Sequence, residues 1–504
     1  MHVGIDIGDR WMRAAQQVAS QAPRAIPDLR DPKELATRLS LQVDTDGVLV
    51  GEIASELQRE QPTAKVVTLL RQRLIQDGPV LEMGPERHWL AEGLVALCLR
   101  KVQRDVQGLG IGGWQSVTLT VPANASPAYC ERLSSAARLA DLPQFQLLEE
   151  PLAAWTFVNA PMVNRRPSLV IHFGEIASSV TVIDDAHTPP RMIASDSINE
   201  ASRQQIEMAV ATHIKQDLSW PQRAPVGMSH EILWQELINH VQNEYPQSLA
   251  SLPEVSRRAW LIGGQICEFH LRKVVWQEAW SPIRTAVFDQ VFRTVRQAGL
   301  SPKEIGQVIL SGEPVSGTGI ETELPTMFPQ AQLWHRPDLA PWVHAYGAAL
   351  MGPSHAAWRT ERSSSVSSVP LTDDVGILIM NPATGQPDLD VLIPAGTRPP
   401  FRAVRRYQTQ QAGQKQFFVE FARRQTQSPH YRSLSRWETP LSSVLEFPRV
   451  EVACEFHVDG NLEIILSGDL QTASEMRYDV RQDQAFNPRE TCQRKLLETT
   501  PWRD

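Results

Sequence analysis

The feature that most constrains this chain is a unit written twice: strand, glycine turn, strand. It opens the sequence at Met1–Ala15, where Val3, Ile5 and Ile7 make an apolar strand, Asp6 stands near its end and Gly8 begins the turn. It returns at Leu169–Val182 (LVIHFGEIASSVTV), which sets His172 where Asp6 stands and Gly174 where Gly8 stands. Such a turn brings backbone close to a phosphate and hangs a side chain beside the metal ion that accompanies one. A repeat of this size, its copies more than a hundred residues apart, predicts a duplicated two-lobed fold with a cleft between the lobes.

A chain of 504 residues exceeds one compact core, so two or three domains are expected. With 42% hydrophobic and 21% charged residues it has the composition of a folded protein rather than a disordered one. The net charge of −8 gives no overall pull toward nucleic acid, which is not expected as a partner. No basic leader precedes a long apolar run, and no apolar stretch approaches the ~18 residues of a membrane span, so a cytoplasmic protein without membrane contact is expected. Cys98, Cys130, Cys267, Cys454 and Cys492 are scattered with no Cys-x-x-Cys pair, so neither a disulfide framework nor a metal site is expected.

Between the two copies, Gln115–Pro122 alternates as a buried strand, Ser126–Ala140 has helical spacing, and Gln146–Pro151 reads as a strand ending at Glu149 and Glu150. Strand, helix, strand is the order of an α/β layer. From Ala201 to about Leu300 the pattern is mostly helical, with a long amphipathic helix at Ile283–Gly299. Val308–Gly312 is a buried strand leading to a glycine loop, and Trp342–Gly352 is a helix of small side chains that something approaches closely. Beyond the serine-rich 363–368 the pattern changes to short β runs at Leu389–Ile393, Phe417–Ala422, Val450–Val458 and Leu462–Leu466, with a hairpin turn at Asp459-Gly460.

Several of these segments together resemble the DnaK-type, seventy-kilodalton heat-shock chaperone family. GIDIG at 4–8 is similar to its first phosphate loop, VTLTVPANAS at 117–126 to its ITVPAYF segment, and EPLAAW at 150–155 to its EPTAAA connection. The run 282–312 resembles the helix and strand before its adenosine loop, and HAYGAALMG at 344–352 its closing helix. DVLIPAGTRPP, FFVEFA and PRVEVACEFHVDGNLEI are similar to its peptide-holding β-sandwich. The resemblance covers roughly residues 1–470 in order. It implies an actin/hexokinase-like two-lobed ATPase domain over 1–353, a linker over 354–374, an all-β sandwich over 375–475 and a tail over 476–504 without the helical lid. It further implies catalytic roles for Asp6 and Glu150, nucleotide contacts from Asp6, Gly8, His172, Gly174, Gly312 and Gly347, and peptide contacts from Met380, Gln410 and Phe417. Phe417 would fill the peptide pocket, or would simply be sandwich core.

The departures from the family bear on chemistry. Gly-Thr-Thr of the first loop is here Gly8-Asp9-Arg10, and Asp-Leu-Gly-Gly-Gly-Thr of the second is His172-Phe173-Gly174-Glu175-Ile176-Ala177. The catalytic lysine falls near Gln72, with Arg71 its nearest substitute. Ile176 would occupy a position demanding positive φ, and Glu175 at ~4 Å from a phosphate would repel it by about 4 kcal/mol at an effective dielectric near 20. Binding of ATP or ADP with Mg²⁺ is therefore expected to be weak or lost, and ATP hydrolysis small or nil. Two readings stand beside this one: a working ATP-dependent chaperone with divergent loops, in which Asp6, Asp9 and Glu175 recruit an extra divalent ion, and a non-enzymatic docking scaffold. The β domain would take polypeptide segments or a fixed protein partner. Nine basic residues between Arg398 and Arg436 face only Glu420, a strip suited to an acidic partner or to a solvated sheet face.

Overall fold

The structure is a computed structural model that describes all residues except 19–20, 31–34, 62–63, 77, 85–86, 111, 143, 160–165, 187–189, 200, 218–228, 244–252, 313–318, 352–372, 381–386, 398–399, 410–412, 426–430, 443–446, 457–460, 471–473, 480–487 and 504. The chain is mixed α/β and divides into two compact units. One comprises Met1–Asn124, Ala140–Ala356 and Thr500–Asp504, the other Ala125–Leu139 and Ala357–Thr499. Among the described residues no helix is long and apolar enough to cross a membrane.

The first unit holds two main sheets. Strands β1 (His2–Ile7), β2 (Trp11–Gln17), β3 (Arg24–Ile26), β4 (Ser116–Val121) and β5 (Phe145–Glu149) lie in the order β5-β4-β1-β2-β3, and Thr37–Arg38 adds to β2. β1 runs antiparallel to β2 and parallel to β4, which is parallel to β5. Strands β6 (Ser168–His172), β7 (Ser178–Asp184), β8 (Arg191–Ile198), β9 (Gln307–Ser311) and β10 (Gln332–Trp334) repeat this, in the order β8-β7-β6-β9-β10. β6 is antiparallel to β7 and parallel to β9, which is parallel to β10.

The correspondence reaches single residues. Asp6 pairs in register with Arg13, and His172 with Ser179, seven residues on in both copies. A Cβ on Gly8 would meet the Trp11 carbonyl oxygen at 2.9 Å, and one on Gly174 would overlap the Ala177 carbonyl oxygen, three residues on in both. The turns thus require glycine because a side chain would strike the chain's own backbone. Neither glycine has a positive φ, and Ile176 has none either, so the expected strain at Ile176 does not arise.

Five helices shape the surroundings of the two turns: α1 (Leu70–Arg73), α2 (Glu150–Asn159), α3 (Arg203–Asp217), α4 (Lys273–Gln297) and α5 (Val343–Leu350). β1 and β4 are buried along their whole length, as strands covered on both faces are. The small residues of α5 let it press onto β1 and α2 together. A Cβ on Gly4 would overlap the backbone of Ala345, Ala348 and Ala349, and one on Gly347 would overlap that of Ala153. Gly312, after β9, holds φ at 96°, and a side chain there would strike the Phe173 backbone.

The region expected to be mostly helical contains α3, a helix at His230–Asn243 and α4, but also the antiparallel hairpin Val255–Ile262/Gln265–Arg272. Its turn is Gly263-Gly264, with φ of 58° and 77°, the two left-handed residues of a tight hairpin. α4 begins ten residues before the expected start at Ile283 and carries Pro282 inside it. The helix extends upstream of the proline because Trp276, Ala279 and Trp280 are buried in the second sheet's apolar core.

The second unit is built on two four-stranded antiparallel sheets. β11 (Asp373–Met380), β12 (Pro387–Ile393), β14 (Gln416–Gln425) and β15 (Tyr431–Pro440) lie in the order β12-β11-β14-β15. β13 (Phe401–Gln408), β16 (Arg449–Phe456), β17 (Asn461–Gly468) and β18 (Ser474–Asp479) lie in the order β13-β16-β17-β18. Val375, Ile377 and Phe421 from one sheet and Val450, Val452 and Ile464 from the other share one apolar cluster. The helices Pro127–Leu139 and Pro488–Thr499 also belong to this unit, where the Arg494 guanidinium donates to the Arg138 carbonyl at 3.1 Å. The segment expected as a tail therefore carries the end of β18 and a helix, and its last residues pair Arg503 with Asp44 at 2.7 Å in the first unit. The expected serine-rich linker and the Asp459-Gly460 turn lie outside the described residues.

This packing has two measurable outcomes. Gly347→Ala should cost about 1–3 kcal/mol in urea unfolding because α5 and α2 must separate, whereas Gly112→Ala, with open space around it, should stay within about 0.5 kcal/mol. At the end of the second sheet, Asp185 accepts from Trp155 Nε1 at 3.4 Å and Ser168 Oγ at 3.3 Å while its Oδ1 has no hydrogen-bond donor. Burial pushes its pKa up to about 6 against those two hydrogen bonds. The folded state therefore holds this proton more tightly than the unfolded one. Its stabilising contribution is fully present below pH ~4 and is lost as pH rises through about 6. Asp185→Asn should exceed the parent in stability by about 1–2 kcal/mol above pH 7, with the difference vanishing toward pH 4.

Candidate functional site

The two glycine turns face one another across a set of charged side chains. Arg10, in the first turn, donates from Nη1 to Glu207 Oε1 at 3.0 Å and from Nη2 to Glu207 Oε2 at 2.7 Å, a forked pair with α3. Its Nε lies 3.3 Å from Glu175 Oε2 in the second turn. Arg203 completes the set, 2.9 Å from Glu207 and 3.4 Å from Glu175. Two cations and two carboxylates thus form a closed quartet around Glu207, whose side chain is fully buried. Burial would lower the Arg10 pKa, but the Glu175 charge and the Glu207 hydrogen bonds raise it above its ordinary value.

Beside the quartet lies a second group. The Asp6 carboxylate accepts from Thr120 Oγ1 at 2.5 Å and lies 3.8 Å from His344 Nδ1 of α5. Burial would raise its pKa. The proximity and charge of His344, the Thr120 hydroxyl and the Arg13 charge outweigh this and hold Asp6 below the usual carboxylate range. His172 Nδ1 sits 3.1 Å from Ser311 Oγ, and its ring centroid is 4.7 Å from that of His344. Burial, the charge of His344 and that of Arg71 lower the His172 pKa well below the ordinary histidine value, so its ring is neutral at pH 7.

Arg71 Nη2 contacts Glu150 Oε1 at 2.7 Å. Its helix α1 is only four residues long, and the residue before it, Leu69, holds φ at 56° and ψ at 41°, strained for a branched side chain. Burial raises the Glu150 pKa against Arg71 and His344, and the Asp9 pKa against Arg71 and Arg10.

The structure brings together Asp6, Glu150 and His172, and places Gly8 and Gly174 at the turns carrying Arg10 and Glu175. The Gly8 N–H donates to Trp11 O at 2.9 Å and the Gly312 N–H to Ala340 O at 3.1 Å, so both amides are engaged within the chain. Gly347 packs against the Ala153 backbone of α2. Glu175, expected from the sequence to be an uncompensated negative charge, is instead paired with Arg10 and Arg203. These pairs draw it into the quartet rather than into an ion site with Asp6 and Asp9.

In the second unit Phe417 belongs to the shared apolar core and is 8% exposed, the core alternative rather than an open pocket wall. Met380 ends β11 and its side chain is not described, and Gln410 lies outside the described residues. Within the basic strip, Arg402 pairs across the sheet with Glu455 at 2.9 Å, Arg406 with Glu451 at 2.8 Å, and Arg424 with Asp388 at 3.2 Å. Acidic residues on neighbouring strands, outside the window that makes the strip look unbalanced, neutralise part of it.

Sequence reasoning missed Glu207, Arg203 and His344. Arg203 and Glu207 stand four apart, a helix pairing the sequence does display, but nothing local ties them to Arg10. His344 lay in view as the one histidine of a helix of small side chains. No family model matches the chain.

The quartet is testable as a unit. Removing one partner leaves a buried charge uncompensated, so Arg10→Ala should cost about 3–5 kcal/mol in chemical unfolding. The double variant Arg10→Met/Glu207→Met should recover most of that loss, giving a coupling energy well above the ~1 kcal/mol of a surface pair.

Proposed function

We propose that this chain is a DnaK-related binding protein. Its actin-like, two-lobed N-terminal domain has its phosphate cleft closed by its own side chains, and its β-sandwich takes polypeptide segments or a fixed protein partner. The quartet Arg10–Glu175–Arg203–Glu207 carries this reading. The two turns that resemble phosphate loops spend their charged residues on each other and on α3, and the Gly8 and Gly312 amides donate to the chain's own carbonyls. The recurrence of one strand order and one set of strand directions in two sheets supports the two-lobed assignment.

A triphosphate entering between the turns would have to displace ion pairs whose disruption costs about 3–5 kcal/mol, a penalty of roughly 150- to 5,000-fold in affinity. The replacement of the family's catalytic lysine region by Gln72, with Arg71 held on Glu150 at 2.7 Å, removes a free cation from the reacting phosphate. Asp6 and Glu150 keep the carboxylates of the ancestral site. With Arg13 beside Asp6 and Arg71 on Glu150, these favour the second reading, a divergent but working ATPase, if the quartet opens.

Phosphate release measured with saturating Mg²⁺-ATP separates the two. The expected result is release no faster than in buffer, with unchanged affinity for extended peptides in the presence of ATP. Release that Glu150→Gln abolishes would establish the working ATPase, and failure of unfolded peptides to bind at all would establish the scaffold.

A further inference from the structure

We propose that Glu150, His172 and His344 form a binding site for one divalent transition-metal ion of the zinc class. The three side chains come from separate elements, the first turn of α2, the end of β6 and the first turn of α5. Each offers a ligand atom within 4.8 Å of the other two. Bonds of about 2.0–2.1 Å in tetrahedral geometry set ligand atoms about 3.4 Å apart, so closing on an ion asks side-chain shifts of about 1 Å.

The second observation is the state of the two imidazoles. His172 Nδ1 faces Ser311 Oγ at 3.1 Å and His344 Nδ1 faces Asp6 Oδ2 at 3.8 Å, which leaves both Nε2 atoms as the ligating positions. His344 is 3% exposed and its Nε2, though buried, has no hydrogen-bond partner. A buried nitrogen without a partner is costly unless something fills its lone-pair direction. The Asp6–His344 contact, with Asp6 itself fixed by Thr120, is the carboxylate-to-histidine support that orients metal-ligating imidazoles.

Two nitrogens and one carboxylate oxygen suit zinc, cobalt(II) or nickel(II) rather than magnesium or calcium, which take oxygen ligands. Three protein ligands leave a fourth position open, as in exchangeable rather than purely structural sites. Arg71 opposes the ion, because its guanidinium lies 2.7 Å from Glu150 Oε1. It therefore sets the affinity, and the ion must take the carboxylate in competition with it. An ion held here would tie β6 to α2 and α5. The site uses neither the quartet nor the turn amides, but it draws on Glu150 and His172, the residues the sequence resemblance assigns to nucleotide chemistry, so metal and nucleotide would compete for them.

The test is calorimetric titration of ZnCl₂ into the chelator-treated full chain, with CoCl₂ as a spectroscopic probe. The expected result is one tight ion per chain, visible d–d bands of tetrahedral cobalt, and affinity reduced at least 100-fold by His172→Ala or His344→Ala. Asp6→Asn should lower affinity about 10-fold. Arg71→Gln, which leaves all three ligands in place, should raise it, and this keeps the test decisive if a histidine variant fails to fold. Absence of a stoichiometric ion would overturn the proposal. So would octahedral cobalt spectra, binding that survives His344→Ala, or binding indifferent to Arg71→Gln.

Discussion

A forked ion pair between Arg10 and Glu207 fixes how the first turn, the second turn and α3 meet. Glu207 is fully buried, and a lone carboxylate there would be costly. Both its oxygens are taken by Arg10, one is shared with Arg203, and Glu175 balances the second arginine's charge. Such an arrangement is of little net worth against a hydrophobic replacement but strongly resists the loss of any one member. It specifies a geometry more than it adds stability. The turn that begins at Gly8 and the turn that begins at Gly174 come to rest on the same helix.

The duplication also explains the second group. In each copy, a side chain at the end of the central strand is held by a hydroxyl from the neighbouring parallel strand: Asp6 by Thr120, His172 by Ser311. The scaffold is the same while the residue differs. A carboxylate stands at this place in one copy and an imidazole in the other. His344 stands between the two, its Nδ1 facing Asp6 and its ring 4.7 Å from that of His172.

Much of this was legible in the sequence, for physical reasons. Glycine turns between apolar strands announce themselves because only glycine fits against the Trp11 and Ala177 carbonyls. The alanine and glycine run of α5 announces a close approach that β1 and Ala153 supply. The Gly263-Gly264 hairpin was equally written, yet aromatic and aliphatic residues around it fit helical spacing as well. What could not be read was pairing at a distance. In the sequence Arg10 stands only as a departure from the resembled family's first loop, and Glu175 as a repulsive anion. Only the fold shows that the two departures answer one another. The same limit applies to the basic strip, whose partners Glu451 and Glu455 sit on a strand outside the window that holds the arginines.

The two glycine turns and α3 are held together by their own ion pairs. A crystal structure grown with millimolar Mg²⁺ and a non-hydrolysable ATP analogue tests it most directly. The account predicts that Arg10 stays forked on Glu207, with Glu175 between Arg10 and Arg203 and no phosphate density between the turns. A structure in which Arg10 has left Glu207 and a γ-phosphate lies against the Gly8 and Gly174 turns would contradict it.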